Sequence, residues 1–229
     1  MDLLHSFEGL VALVLPALLL ILLARGHLPS YILLALYSLV DLATGLTEEV
    51  ALRTQGRGSA LYHDLFWGNE VATDFLMFVL VIVLIRRSAE QAALRTAASR
   101  ILLLVIGAAA VLPFLYGHRL LTPVRGTMAL ANGWFRLSSQ ILNFGAAIMN
   151  LVLWTALIGS KKSDTQLLTV SAGLGVLVTG QAFSYGITIL TRAASLRSLG
   201  DLIVSLTHIL GLAIWCWAFW PKKRLSDPK

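Results

Sequence analysis

Apolar residues run along this chain in seven long blocks separated by short polar breaks. The blocks cover residues 8–25, 30–50, 62–85, 99–117, 128–158, 166–191 and 199–220. A helix needs about 20 predominantly apolar residues to cross the hydrocarbon core of a bilayer. Each block is therefore expected to be a transmembrane helix, and the fold class is all-α: one seven-helix membrane domain with no separate soluble unit. Pro16 lies inside the first block and predicts a kink, Pro29 opens the second, Pro113 lies inside the fourth, and Trp220-Pro221 closes the seventh. The fifth block is long enough to tilt or to project beyond the bilayer. The break SAEQAALRTAAS before the fourth block is expected to be a solvated loop, with a short surface helix as the alternative.

Polar residues inside these blocks are not scattered. In the third block His63, Trp67, Glu70 and Asp74 follow the spacing i, i+4, i+7, i+11, which is one stripe of a helix. Tyr37, Asp41, Thr44 and Glu48 repeat that spacing in the second. Arg136, Gln140, Asn143 and Asn150 share a face of the fifth, Gln181, Ser184 and Thr188 a face of the sixth, and Asp201, Ser205 and His208 a face of the seventh. Glu70 and Arg136 both lie about 12 Å inside the ends of their blocks at a rise of about 1.5 Å per residue. They are expected to pair, because an isolated charge in hydrocarbon is costly. Ser, Thr, Asn and Gln stripes commonly do no more than hold helices together, and that reading suits Ser184, Thr188, Ser205 and Asn150. Ionisable groups are costly as glue, so Asp41, Glu70, Asp74 and Arg136 are the stronger candidates for function. Glu48 and Glu49 stand close enough to the end of their block to be solvated. His63 and His118 are expected at the interface, and Tyr62, Trp67, Tyr116 and Trp134 form a candidate aromatic belt. Gly107 and the pair Ser171/Gly175 are candidate close-packing positions.

Composition strengthens the membrane reading. Of 229 residues 57% are hydrophobic and 13% charged, with a mean hydropathy of +0.79. The net charge of +6 does not point to nucleic acid, because the basic residues cluster at the ends of apolar blocks. With the N-terminus outside, eleven Lys and Arg fall on the cytoplasmic side and six on the outer side, so the positive-inside rule favours N-out and C-in. The expected location is the bacterial inner (plasma) membrane, crossed several times. The N-terminus, with Asp2 and Glu8 and no small-residue cleavage site, is expected to be a retained helix and not a signal peptide.

Several chemistries find no support. The single Cys216 excludes an intrachain disulfide and a cysteine-cluster metal site. The seventh block has no Lys for a retinal Schiff base. There is no HExxH, no GxSxG and no phosphate-binding glycine loop. No metal, cofactor or catalytic group is assigned, and an enzyme is the least favoured class.

The stretch Tyr62, Trp67, Glu70 before an apolar run gives a Y-x4-W-x-x-E pattern. With WFRLSSQILNFGAAIMNLVLWTALI, which carries Arg136 and Gln140, and the glycine-rich SAGLGVLVTGQAF, it resembles an uncharacterised seven-helix integral membrane protein family abundant in Acidobacteria. The resemblance runs from the second block to the sixth. Thr47-Glu48-Glu49 and Asp74 depart from the family pattern. That family has no assigned activity, so the resemblance implies a fold and a topology but no function.

The inner halves of most blocks are nearly pure Leu, Ile, Val and Ala, and polarity is concentrated in the outer half. The expected site is a polar cavity open to the outside, lined by Asp41, Trp67, Glu70, Asp74, Arg136, Gln140, Asn143 and His208. The leading expectation is a binding or sensing module for a small ligand or ion arriving from the outer side, signalling through a partner membrane or cytoplasmic protein. The alternatives are a small transporter or proton-coupled permease using the Asp/Glu/Arg cluster, and a scaffold or accessory subunit.

Overall fold

The computed structural model describes the backbone of residues 2–56, 59–88, 92–120, 127–159, 164–190 and 194–221. Side chains are described for 11–56, 59, 61–88, 94–115, 134–158, 164–187, 196 and 198–221. Seven helices account for nearly all of it: α1 Asp2–Ala24, α2 Ile32–Gln55, α3 Ala60–Ser88, α4 Ala92–Leu120, α5 Thr127–Gly159, α6 Thr165–Leu190 and α7 Ala194–Ala218. No strand occurs among the described residues. Five helices contain a stretch long and apolar enough to cross a membrane, in α3, α4, α5, α6 and α7. In α1 the described apolar part is Val11–Ala24, and in α2 the apolar run is broken by Asp41, Glu48 and Glu49.

The helices run beyond the apolar blocks. The solvated loop expected before the fourth block is a case in point: from Ala92 onward it is the start of α4, continuous with the rest of the helix. Ala, Leu, Arg and Thr at 92–96 contain no breaker, so nothing stops the helix at the edge of the hydrocarbon. The end of α2 is set by Gly56, whose φ of 79° suits a residue without a Cβ and whose N–H caps the Leu52 carbonyl.

Neighbouring helices close a ring, α1 to α7 in order and α7 back to α1, with α3 pushed inward to touch α2, α4, α5 and α6. The surface is inverted relative to a water-soluble bundle. Leu103, Leu104 and Phe114 of α4, Leu151 and Ile158 of α5 and Trp217 of α7 are each at least 69% exposed. A continuous apolar exterior of this kind is stable against lipid and not against water. The bundle is membrane-embedded.

Close packing is strongest between α6 and α7. A Cβ added at Gly173 would stand 2.6 Å from Trp215 Nε1, one at Gly211 2.5 Å from Leu177 Cγ, and one at Gly180 would collide with Thr207. Small residues let these backbones approach, which in lipid substitutes for hydrophobic driving force. Gly175 packs as expected, against Asn150 of α5, whereas Gly107 faces outward with nothing near its missing Cβ. The proline of α4 has a partner across the bundle. Pro113 has no N–H for the Ala109 carbonyl one turn earlier, and Ser138 Oγ of α5 donates to that carbonyl at 2.8 Å.

The C-terminal ends of α1, α3 and α7 meet at one face. Arg87 donates to the Ser30 carbonyl at 3.1 Å and lies 5.0 Å over the Tyr31 ring, and Tyr31 stands edge-on to Phe219. Burial and the nearby Asp164 raise the Tyr31 phenol above its ordinary range, partly offset by Arg87. This is the Arg87 face. The opposite one, where α2 ends and α3 begins, is the Glu48 face.

Candidate functional site

The part of the bundle toward the Glu48 face carries a connected set of polar side chains from five helices. Two carboxylates project from one side of α3, Glu70 and Asp74, one turn apart. Tyr185 of α6 donates its phenol to Glu70 Oε1 at 2.9 Å. The same phenol oxygen lies 2.7 Å from Ser139 Oγ of α5, and Ser139 Oγ is hydrogen-bonded in turn to Asp74 Oδ2. Carboxyl, phenol, hydroxyl and carboxyl thus form one unbroken chain. Asp74 and Ser139 are fully buried.

Two further contacts flank this chain. His208 Nε2 of α7 stands 3.2 Å from Asp41 Oδ2 of α2, close enough for an ion pair when the imidazole is protonated but not aligned as a hydrogen bond. Asn69 Nδ2 of α3 donates to Glu48 Oε1 of α2 at 2.7 Å. Below them Asn143 of α5 meets Gln181 of α6, amide to amide.

The sequence expectations divide cleanly. Asp41, Glu70, Asp74, Asn143 and His208 are brought together. Trp67 instead packs edge-to-face on Phe66, in a group of rings that includes Tyr62. A second group, Phe114, Trp134 and Phe135, lies across the bundle, and the Tyr116 and His118 side chains lie outside the described residues. Gln140 makes no hydrogen bond among the described residues. The expected Arg136–Glu70 pair does not form: Glu70 is held by Tyr185, and Arg136 has no hydrogen bond or ion pair among the described residues. Helices α3 and α5 run parallel, with Ser139 against Asp74 and Gly145 beside Phe78, so Arg136 does stand level with Glu70. Equal depth does not fix azimuth, and the Glu70 carboxyl is turned to α6. Glu48 also departs from expectation. It is half-buried and bonded to Asn69, whereas Glu49 pairs on the surface with Arg53 at 2.6 Å.

Tyr185 and Ser139 were missed. Both lie on stripes already marked: Ser139 is four residues before Asn143 and Tyr185 four after Gln181. A tyrosine in the middle of an apolar helix looks like an aromatic packing residue, and a serine looks like glue. Only the meeting of helices shows that each links two carboxylates.

Hydrogen-bond accounting shows what the cluster lacks. Asp41 Oδ2, Asn69 Oδ1 and Asp74 Oδ1 are buried acceptors without an aligned hydrogen bond among the described residues, although His208 stands beside Asp41 Oδ2 and the Asn143 amide lies near Asp74. The Asn69 amide is oriented by Glu48, which can only accept when ionised, so its free oxygen is not a matter of assignment. The Asn143–Gln181 pair can be read in either sense and is not counted. Four carboxylates stand against one imidazole in contact with them, with Arg136 level with Glu70 but not bonded to it. No group of three or more His, Cys, Asp or Glu is arranged to hold a metal ion among the described residues.

Comparison of the chain with known protein families, with curated proteins and with solved structures found no match. The family resemblance drawn from Tyr62, Trp67, Glu70, Arg136 and Gln140 therefore rests on those motifs alone.

Proposed function

We propose that this protein is a binding or sensing module of the plasma membrane, crossing it seven times with the N-terminus outside. Its polar cluster takes a small, positively charged hydrogen-bond donor of the ammonium type from the outer side. The excess of Lys and Arg at the Arg87 face supports that orientation, and the acidobacterial-type family resemblance belongs to the same proposal. The observation that carries the ligand class is the shortage of donors: three buried acceptors without an aligned hydrogen bond among the described residues, one of them beside the single imidazole, in a cluster of four carboxylates. An ammonium group brings both a charge and several N–H donors to such a site.

Binding is favoured over transport by the other half of the bundle. Toward the Arg87 face, Met77, Phe78, Val81, Ile82 and Ile85 of α3 meet Leu19, Leu23, Leu153 and Leu174, all at most 1% exposed. Asn150 and Ser171 are isolated polar residues in that packing, and among the described residues it offers a charged ligand no continuous polar path onward. The bound state would be passed to a partner membrane or cytoplasmic protein through movement of the helices.

The test is thermal unfolding of the purified protein in detergent with ammonium, methylammonium or guanidinium chloride against sodium chloride at equal ionic strength. At least one of the three should raise Tm in a saturable way, and Asp41→Asn or Asp74→Asn should remove the shift. If none exceeds sodium, or if the shift survives both substitutions, the reading is wrong.

A further inference from the structure

We infer that Glu70 and Asp74 hold one proton between them, and that Tyr185 and Ser139 form the wire along which it moves from one carboxyl to the other. The inference deepens the donor-poor reading of the cluster by naming its resident cation, a proton.

The four residues own too few hydrogens for their contacts. Three oxygen–oxygen contacts link the four residues: Glu70 to Tyr185 at 2.9 Å, Tyr185 to Ser139 at 2.7 Å, and Ser139 to Asp74. Each contact needs one hydrogen between its oxygens. A phenol and a serine hydroxyl own one hydrogen each, and two ionised carboxylates own none. Two hydrogens cannot fill three contacts. With both carboxylates ionised, one pair of oxygens would face each other through lone pairs in a buried setting, which is strongly unfavourable. One proton added to either carboxyl completes the set. A second has no vacant place in the chain. Two neighbouring carboxylates sharing one proton is also what like-charge repulsion favours.

The completed chain has two arrangements. With the proton on Glu70, its O–H donates to Tyr185, Tyr185 to Ser139, and Ser139 to Asp74. Transfer moves the Glu70 proton to the Tyr185 oxygen, the Tyr185 hydrogen to the Ser139 oxygen, and the Ser139 hydrogen to Asp74 Oδ2. Three O–H bonds break and three form, one proton passes one helical turn along α3, and no electron is exchanged. Asp74 is fully buried, so a charge left on it is the harder of the two to accommodate and the Asp74 end is the one where the proton or its absence matters most. The other titratable groups facing the pair are Tyr37, Asp41 and Glu48 of α2 and His208 of α7. Arg136 of α5 stands level with Glu70 without bonding to it, and α4 contributes no titratable group to the chain among the described residues.

Infrared spectroscopy of the C=O stretch of protonated carboxyls tests this without any ligand, so its failure is separable from failure of the ammonium reading. Glu70→Gln and Asp74→Asn each replace a carboxyl by an amide that brings its own N–H to the end of the chain. Each alone fills the third contact, so each alone should abolish the whole protonated-carboxyl component that the pair contributes in the wild type. In a Tyr185→Phe background only the Ser139–Asp74 contact remains and Ser139 supplies its hydrogen, so the chain no longer needs the shared proton and the component should be lost with both carboxyls intact. In the wild type the component should titrate as one proton. Two independent acids would lose a different part of the band with each substitution, and an unprotonated pair would lose nothing with either. Both outcomes overturn the inference, and the wild-type titration decides it if a variant fails to fold.

Discussion

The two halves of α3 obey different rules although they belong to one helix. Asn69, Glu70 and Asp74 each have a named partner on another helix, set by direction and distance. Met77, Phe78, Val81, Ile82 and Ile85 are as deeply buried but are held by shape alone. In lipid the apolar half gains little from leaving its surroundings, since acyl chains are as apolar as Leu, and its stability comes from packing contacts. The polar half gains specificity, because few arrangements of five helices satisfy its hydrogen bonds at once. The difference suggests a division of labour, with one half fixing which helices meet and the other holding them together.

A charge placed in the apolar half breaks this comparison hardest. Val81→Asp puts a carboxyl where no polar group is at hand, and a loss of more than about 4 kcal/mol is expected. The protein should fail to fold in detergent, as size-exclusion chromatography would show, and a well-folded variant with wild-type Tm would mean that this half holds water. Leu153→Ala, also in the apolar half, should cost about 2–5 kcal/mol by leaving a cavity, read by Tm. Ser139→Ala in the polar half removes less volume but leaves Asp74 and Tyr185 without their shared partner. About 1–3 kcal/mol is expected, and a double-mutant cycle with Tyr185→Phe should be clearly non-additive. Additivity there would dissolve the network into separate contacts. The surface pair gives the smallest effect: Glu49→Ala should change stability by less than about 0.5 kcal/mol, since Arg53 and Glu49 are both solvated.

The helices were legible in the sequence because hydrocarbon thickness dictates their length and the blocks stand out on hydropathy alone. Their ends were less so. Ala92 to Ser99 is polar enough to leave the bilayer yet contains nothing to stop a helix, and hydropathy reports only the first property. Asp41, Glu70, Asp74, Asn143 and His208 were readable because depth and stripe are both functions of position along one helix. The rotation of one helix against another is not, and that is why Arg136 was paired with Glu70 and Tyr185 was passed over. Glu48 was misjudged for the same reason: its nearness to the end of α2 was visible, but Asn69 lies on another helix.

The bond from Ser138 to the Ala109 carbonyl has a consequence for assembly. Helices entering a bilayer one after another would leave α4, on its own, with a carbonyl that Pro113 cannot serve and that lipid cannot solvate. That carbonyl is a vacancy of defined depth and direction, and α5 carries the hydroxyl that fills it. Sliding α5 by a single residue would empty it again. The proline that weakens α4 therefore gives the next helix its registration mark. The α4–α5 hairpin is expected to lock as a unit before Ser139, one residue further on, reaches α3 and α6.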